Sequence, residues 1–475
     1  MSLCVTFVIL FLTFYDTFVT FLPLFATFSP LSSHFTPILP PFSFTFSLPN
    51  TLSGIVETLI VNAAKDPSSQ LLAHQLIWNM KANMYVDTDG VREDALKPTL
   101  DRITSSLIST FEGQARAYYE QEFAFFNTVT NVSGALKPYI RKSKSEKKAK
   151  IDEELARIQV VPGVYLPSNP ESKVVGIDYT SGRPLQSHAK APYMATFLVE
   201  RERGQPPSPQ SCIFKVGDDC RQDVLALQLI ALFQKIFSVV GLNLYTFPYK
   251  VVATAPGCGV IEVVPGTISR DILGREKINN LYDYFIDRYG GERSKAFERA
   301  RGNFVSSMAA YSVVCYLLTL RDRHNGNIMI DDEGHIVHID FGFILGISPG
   351  GMVFNDILDG FESSPFLLKR EMVQVMGGNI NAEPFQRFSE LVIQGYLAAR
   401  PYAEQVIELV TLMQESGLPC FRGEETIRRL RLKFQSQLNE RDAAQFMAAR
   451  IADSYENYRT TAYDLFQKMQ NGIPY

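Results

Sequence analysis

The sequence predicts an α+β protein in which a helical region precedes a small β-rich lobe and a larger, mainly helical lobe. Three observations support this order. Apolar residues recur at three- and four-residue spacing from residue 52 to about 157, short β-prone runs between Gly, Pro and Ser fill residues 160–264, and long helical patterns then return. With 475 residues, 46% of them hydrophobic, the chain is long enough for two or three domains.

The first 48 residues differ in composition from the rest of the chain. They contain no Lys or Arg, and the apolar run from Met1 to Phe28 is long enough to cross a bilayer. Asp16 lies within that run and would cost about 2.5–3.5 kcal/mol in a membrane, and the basic region of a signal peptide is missing. A membrane anchor, a buried or disordered segment, and sequence foreign to the natural protein are the three interpretations. The abrupt change at Pro49 favours the last one.

We predict four segments along the chain. They are an apolar low-complexity segment (1–49), a helical region (50–158), a small lobe (159–264), and a large lobe that ends in an amphipathic helix (265–475). Within them, residues 204–210 suggest a hairpin loop or a small insertion, and residues 221–240 suggest a helix that Gly241 ends. The basic run 141–158 is typical of a solvated helix or linker, and contact with acidic lipid headgroups is the less favoured alternative.

Charge and cysteine content exclude some function classes. The net charge of −4 provides no basic field, so we expect no nucleic-acid partner. The six cysteines are scattered without a C-x-x-C pair, which favours reduced cytosolic thiols over disulfides or a zinc site.

The stretch DRHNGNIMIDDEGHIVHIDFG, residues 322–342, concentrates polar residues around two β-prone runs. A four-residue loop, DDEG, predicts a hairpin in which Asn327 lies opposite His338 and Asp340 is a diagonal neighbour on the same face. Diagonal neighbours lie about 7–8 Å apart. An amide and a carboxylate oxygen at that separation suit a hard cation such as Mg²⁺.

The three histidines of this stretch allow other interpretations. A zinc site is disfavoured because strand sequence provides no helical histidine pair. We expect His335 to be an exposed turn residue and His338 a packed, hydrogen-bonded one. Asp322 and His324 beside a cation site suit phosphoryl transfer to a hydroxyl, although Asp322 capping the loop and His324 packing is the alternative. The sequence leaves open which of the two is the base.

The motif DRHNGNIM followed by HIDFG resembles the catalytic loop and metal motif of the phosphatidylinositol 3- and 4-kinase superfamily. The resemblance implies a two-lobed kinase domain after a helical region, with Asp322 and His324 catalytic and Asn327 and Asp340 holding the metal. The stretch FKVGDDCRQD resembles the family's lysine motif, so Lys215 would contact the ATP phosphates and serve catalysis.

The same resemblance implies the rest of an ATP site. The stretch PGCGVIEVV is similar to the hinge between the lobes, and the loop SGRPLQSHAKAP stands where protein kinases have a glycine-rich loop. The residues implied are Asp223 beside Lys215, the hinge backbone of Glu262 and Val264, the apolar walls Tyr249, Met329 and Ile339, and Ser187 over the phosphates.

The segment after Gly342 should select the substrate. It contains no Lys or Arg before Lys369, so it offers no cation to a phosphorylated headgroup and favours unphosphorylated phosphatidylinositol. Its residues Phe343, Ile344, Leu345 and Ile347 suit an acyl-glycerol boundary, with packing against the lobe as the alternative. The predicted substrate-loop residues are Phe343, Ile347, Gly350 and Gly351. Relative to the family, this loop holds a short insertion near 352–360, and residues 1–48 have no counterpart.

Several stretches, including GVYLPSNP, SGLPCFRG and NGIPY, are similar to the type III alpha phosphatidylinositol 4-kinases, fungal ones above all. This resemblance implies a kinase that uses ATP with Mg²⁺, or alternatively Mn²⁺, to phosphorylate the 4-hydroxyl of phosphatidylinositol in a membrane. It also implies a cytoplasmic protein peripheral to the plasma membrane, and scaffold or adaptor proteins that bind regions upstream of this chain. The alternatives are a protein Ser/Thr kinase of the same superfamily and a catalytically silent fragment.

Overall fold

The computed structural model describes residues 57–58, 60–62, 70–84, 97–185, 190–201, 205–276, 278, 280–347 and 364–455. The chain divides into two compact units, Met1–Val224 with Tyr249–Val263 and Leu225–Pro248 with Val264–Tyr475. The segment boundaries predicted from the sequence stay predictions. The segment 1–49 and the insertion near 352–360 lie outside the described residues.

Helices precede the sheet in the first unit, as the apolar spacing predicts, and four of them lie between residues 70 and 155 of the described ranges. They bury aromatic residues against one another, and the Trp78 ring stacks on Phe123 with centroids 3.9 Å apart. A capping box begins the fourth helix, because Ser143 accepts the N–H of Glu146 and Glu146 accepts the N–H of Ser143. The helices are α1 (Gln70–Ala82), α2 (Lys97–Ser109), α3 (Gly113–Ala135) and α4 (Lys144–Leu155).

A six-stranded antiparallel sheet completes the first unit, in the order β1-β2-β3-β4-β6-β5. The fourth strand begins at Ser208, inside the stretch predicted as a loop, because the alternation of buried residues extends back to Gln210. The strands are β1 (Tyr165–Leu166), β2 (Asn169–Pro184), β3 (Tyr193–Glu200), β4 (Ser208–Val216), β5 (Val251–Ala255) and β6 (Cys258–Glu262).

Helix α4, which carries much of the basic run, packs against β2. The N–H of Gly182 donates to Oδ1 of Asp152 at 3.0 Å, and Nζ of Lys148 donates to the carbonyl of Thr180 at 2.7 Å. A Cβ atom on Gly182 would lie 2.6 Å from Cγ2 of Ile151, so the close approach requires glycine there. The predicted helix is confirmed, and one of its sides contacts the sheet.

The second unit is mainly helical and surrounds α8, in which every residue from 304 to 318 is buried. A small sheet of β7 (Thr267–Ser269), β8 (Ile328–Asp331) and β9 (Ile336–His338) lies in this unit. The helices are α5 (Arg221–Val239, most of it in this unit), α6 (Arg270–Arg275), α7 (Leu281–Tyr289), α8 (Lys295–Leu318), α9 (Arg370–Val375), α10 (Glu383–Ala399), α11 (Ala403–Leu412), α12 (Glu424–Lys433) and α13 (Glu440–Tyr455).

Two helices, α5 and α13, are relevant to contact with a membrane, one by its length and hydropathy and the other by its predicted amphipathic character. Among the described residues, α5 is the one helix with the length and hydropathy to cross a membrane, and most of it is buried, as in the core helix of a soluble fold. Helix α13 begins the predicted C-terminal amphipathic helix. It buries Met447 and Ile451, so this half packs in the fold. Residues 456–475 lie outside the described residues.

Candidate active site

The predicted catalytic loop, residues 322–327, follows the C-terminal end of α8. Thr319 ends the helix in the left-handed conformation, with φ of 49°. The chain is then fixed to the segment after the hairpin, because the N–H of Arg321 donates to the carbonyl of Phe343 at 2.9 Å and the N–H of Leu345 donates to that of Leu318 at 2.8 Å. The two motif segments, 322–327 and 340–342, therefore lie side by side.

The hairpin after the loop has a register different from the predicted one. Ile330 pairs with Ile336 and Ile328 with His338, so the prediction that Asn327 faces His338 is wrong by one residue. The cause is Gly334, whose φ of 93° allows a shorter turn of residues 332–334 in place of the predicted four-residue loop. The N–H of Asp331 donates to the carbonyl of His335 at 3.0 Å, which extends the pairing to that position.

Asn327 and Asp340 are nevertheless brought close, by a different route. The N–H of Ile339 donates to the carbonyl of Asn327 at 3.1 Å, so Asp340 follows directly after the residue paired with Asn327. Asp322 and Asp340 both have positive φ, 59° and 62°. Left-handed non-glycine residues are strained and cluster at functional sites, and Asp is among the residues that tolerate this conformation best.

Asp322 and His324 face each other across the loop. Nε2 of His324 lies 3.7 Å from Oδ2 of Asp322, and the two side chains are 13% and 15% exposed. Nδ1 of His324 accepts the N–H of Gly326 at 3.0 Å, which places the proton of the neutral ring on Nε2. Burial lowers the pKa of His324, and the nearby Asp322 carboxylate opposes this only in part. The ring is therefore neutral at pH 7, with its N–H on the side of Asp322.

Arg323 joins the two motifs and was missed by the sequence analysis. Its guanidinium donates to three backbone carbonyls, those of Arg321 at 2.8 Å, Ile339 at 2.8 Å and Asp340. The residue is 6% exposed. The signal available in the sequence was its position between Asp322 and His324. Its burial is known only from the structure, where the hydrogen bonds to the carbonyls compensate for lost hydration.

The other two histidines of the motif are structural. His338 is buried, stacks on Tyr311 with centroids 4.6 Å apart and contacts Sγ of Cys315, so the prediction of a packed histidine is confirmed. His335 was predicted to be exposed, and this is wrong: it is 8% exposed and stacks on Tyr245 at 3.8 Å. Its Nδ1 also contacts the Asp331 carboxylate at 2.8 Å, so the turn folds the ring inward.

Asn327 and Asp340 fit a divalent cation. Nδ2 of Asn327 donates to the carbonyl of Asp322 at 2.8 Å, which leaves its amide oxygen as the ligand atom. Asp340 is exposed, and its Oδ1 accepts a long bond of 3.4 Å from the N–H of Gly342. Carboxylate and amide oxygens suit Mg²⁺, which also takes substrate phosphates and water as ligands. Within the described ranges, no group of three or more His, Cys, Asp or Glu residues forms a metal site of protein ligands alone.

Predicted nucleotide-binding residues lie in the first unit. Lys215, on β4, pairs with Gly259 on β6, and Asp223 lies in the first turn of α5. Burial raises the pKa of Cys220 to about 12, Lys215 lowers it and Asp223 raises it further, so both charged groups lie near one buried thiol. The structure thus places Lys215 and Asp223 around the same buried thiol.

Part of the predicted hinge backbone already forms hydrogen bonds within the sheet. The N–H of Glu262 donates to the carbonyl of Lys250 at 2.9 Å, so it is not available to an adenine. Tyr249 is 5% and Val264 is 7% exposed. In the second unit Met329 and Ile339 are half-buried.

The predicted phosphate loop is the tip of the β2–β3 hairpin, where the N–H of Leu185 donates to the carbonyl of Pro192 at 3.1 Å. Lys190, just before Pro192, pairs with Asp218 near Lys215. Ser187 itself lies outside the described residues.

The segment after Gly342 is only partly described. Ile344 and Leu345 are buried at 0% and 8% exposure, so packing is the right interpretation for these two. Phe343 and Ile347 are half-buried. The predicted substrate-loop residues Gly350 and Gly351 lie outside the described residues.

Comparison with known proteins agrees with the motifs. Residues 209–423 match the family described as phosphatidylinositol 3- and 4-kinase. Phosphatidylinositol 4-kinase stt4 of Schizosaccharomyces pombe is 54% identical over 446 residues, which are 89% of this chain and 23% of that protein. Phosphatidylinositol 4-kinase STT4 of Saccharomyces cerevisiae is 56% identical over 431 residues, 89% of this chain and 22% of that protein.

A relative of more similar length also matches. Phosphatidylinositol 4-kinase alpha 2 of Arabidopsis thaliana is 42% identical over 428 residues, which are 88% of this chain and 78% of that protein. The chain therefore spans less than a quarter of the length of the two yeast relatives and most of the length of the plant one.

Proposed function

Because the chain belongs to the phosphatidylinositol 3- and 4-kinase family, we propose that it transfers the γ-phosphoryl group of ATP to the 4-hydroxyl of phosphatidylinositol. The product is phosphatidylinositol 4-phosphate. The observation that carries the proposal is the arrangement of Asp322, His324, Asn327 and Asp340 in one strained, interlocked loop pair. The 4-position rests on the names of the relatives, which are 4-kinases.

The geometry favours Asp322 as the base. His324 is neutral and carries its proton on Nε2, so it has no lone pair directed at the attacking hydroxyl. The Asp322 carboxylate would accept the hydroxyl proton while the oxygen forms its bond to the γ-phosphorus and the bond to the β-phosphate oxygen breaks, releasing ADP. The single N–H of His324, on Nε2, would either orient that carboxylate or be donated to a transferring phosphoryl oxygen.

Family membership implies ATP as co-substrate and a divalent metal, and we favour Mg²⁺ over Mn²⁺. Asn327 and Asp340 would hold the ion, which when bound neutralises charge on the phosphate oxygens. Lys215 would contact the phosphates as a point charge, with Asp223 beside it. Glu262 would contact adenine through its carbonyl, because its N–H is already donated. The remaining proposed ATP contacts are Ser187, Tyr249, Val264, Met329 and Ile339.

The lack of Lys and Arg in the predicted substrate loop favours a lipid whose inositol ring carries no phosphate group beyond the one that links it to glycerol. Residues 343–368 contain no Lys or Arg, so a phosphate on the inositol ring would find acidic or neutral neighbours there. Unphosphorylated phosphatidylinositol avoids that cost. We place the reaction at the cytosolic face of a membrane, the plasma membrane by resemblance, with adaptor proteins binding regions beyond this chain.

One experiment tests the proposal directly. The full 475-residue chain is incubated with labelled ATP and liposomes that contain phosphatidylinositol, phosphatidylinositol 4-phosphate or neither, with a protein substrate in a parallel reaction. We expect label in phosphatidylinositol only, and its loss in Asp340→Asn. Label on protein alone would make the chain a protein kinase, and no label with a folded chain would make it a silent fragment. Either result contradicts the proposal.

A further inference from the structure

Lys369, the first cation after the predicted substrate loop, is buried against the catalytic loop. The residue is 9% exposed, and its Nζ donates to Oδ1 of Asn325 at 2.7 Å. Asn325 is 3% exposed and lies between His324 and Asn327 in sequence. A buried charged hydrogen bond therefore links two segments that are 44 residues apart.

Lysine is a poor choice for the local structure at this position. Lys369 is the N-cap of α9 and makes no side-chain cap hydrogen bond. Ser, Thr, Asp and Asn are preferred at N-caps because they accept a backbone N–H, which lysine cannot do. A cation at a helix N-terminus also meets the positive end of the helix dipole. Neither capping nor the helix dipole favours lysine at this position, whereas the hydrogen bond to Asn325 of the catalytic loop does.

The segment that carries Lys369 is firmly held. Phe366 and Leu368 are each 4% exposed. Two residues after Lys369, the Glu371 carboxylate accepts from both Nε and Nη2 of Arg270 at 2.8–3.1 Å, and Arg270 is 2% exposed. The backbone at Lys369 is thus held in place by these buried neighbours, and its side chain extends from there to the catalytic loop.

We propose that Lys369 is a positioning residue that holds the catalytic loop in register with the end of the substrate loop. This inference rests on the proposed lipid-kinase function. Through Asn325, the contact fixes the loop that carries Asp322 and His324 relative to the chain that follows the lipid-selecting segment. Loss of the contact should misplace the lipid hydroxyl relative to the Asp322 carboxylate and leave the predicted nucleotide contacts of the first unit unchanged.

The deciding variant is Lys369→Ser. Serine is too short to reach Asn325, but it is a preferred N-cap, so the gain in capping should offset the lost hydrogen bond and the melting temperature should change little. The turnover number for phosphatidylinositol should fall roughly tenfold, the order expected for loss of a hydrogen bond to a charged group. The KM for ATP should not change. ATP hydrolysis without lipid should keep its rate, so the ratio of hydrolysis to lipid phosphorylation should rise.

Two further variants separate positioning from stability. Lys369→Arg keeps a donor and should retain more lipid turnover than Lys369→Ser. Asn325→Ala should lower lipid turnover, and the double variant should lose less than the sum of the two single losses, because both changes remove the hydrogen bond between these residues. Lys235→Ser, at an exposed lysine of α5, is the matched control and should behave as the wild type.

The outcomes are distinct. If the wild-type chain does not phosphorylate phosphatidylinositol, the proposed function fails. If it does, and Lys369→Ser has wild-type lipid turnover, the positioning role is wrong. A fall in melting temperature that parallels the loss of activity, or additive losses in the double variant, would also overturn it, because the lysine would then act only on stability or independently of Asn325.

Discussion

Replacing Glu122 with Gln should remove a pH-dependent cost to the stability of the first unit. Glu122, on α3, is fully buried. Its Oε2 accepts the N–H of Tyr165 on β1 at 2.9 Å, and its Oε1 has no hydrogen-bond partner. Burial raises the pKa of the carboxyl to about 8, against which the bond from Tyr165 acts only in part. The folded chain therefore keeps a proton on Glu122 at pH values where the unfolded chain has lost it.

The sign and size follow from proton linkage. The ordinary pKa is 4.5, so between there and about 8 the folded state binds more protons than the unfolded state. Stability then falls by about 1.4 kcal/mol per pH unit as pH rises, and the full cost is present above the folded pKa. Gln cannot ionise and keeps an acceptor for Tyr165. The stability difference between variant and wild type should therefore grow by about 3 kcal/mol from pH 5 to pH 7.

Tryptophan fluorescence during urea unfolding reports this difference in stability for the first unit of the structure, which contains both Trp78 and Glu122. Trp78 is the only tryptophan of the chain, and it stacks on Phe123, the neighbour of Glu122. His74 also titrates abnormally, since burial lowers its pKa to about 4, but it is present in both proteins and cancels in the difference. A difference that stays constant from pH 5 to pH 8 would refute the reasoning, because the proton on Glu122 would then not depend on folding.

Three other changes test the site and the fold. Asp322→Asn should lower phosphatidylinositol phosphorylation by about 100-fold or more in the labelled-lipid assay, with circular dichroism unchanged, and full activity would remove Asp322 from the chemistry. Arg323→Met should lower both lipid turnover and the melting temperature, because three backbone carbonyls lose their donor. Wild-type values for both would show that other contacts hold the loops. Gly182→Ala should destabilise the first unit by about 1–3 kcal/mol in urea, since its Cβ would collide with Ile151. An unchanged midpoint would mean that α4 moves away at no cost.

The strands and helices could be predicted because their periodicity is local. The order of helical region, β-rich region and helical region is confirmed, as is the break after α5 at Gly241, whose φ is 72°. The sheet order could not be predicted in this way. It inserts β6 between β4 and β5, and that arrangement depends on contacts between residues distant in sequence.

The hairpin register shows why a correct element can carry a wrong pairing. A one-residue change in the turn moves every partner by one, and only the left-handed Gly334 distinguishes the two turns. The burial of His335 was missed for a related reason. Its partner Tyr245 lies in another part of the chain, where no local pattern connects the two rings.

The placement of the Asp322 and Asp340 carboxylates depends on strained backbone that Arg323 holds in place, and not on the hydrogen bonds between β8 and β9. The β8–β9 pairing ends at His338, and Asp340 then takes a φ of 62°, as Asp322 takes 59° on the adjoining loop. Each left-handed residue costs about 1 kcal/mol, which the three carbonyl bonds of Arg323 can offset. Asn tolerates this conformation about as well as Asp, whereas a β-branched residue does not. Replacement by Asn therefore removes the charge while keeping the backbone, so loss of activity in Asp322→Asn or Asp340→Asn reports on chemistry, whereas loss in a valine variant would report on the loop.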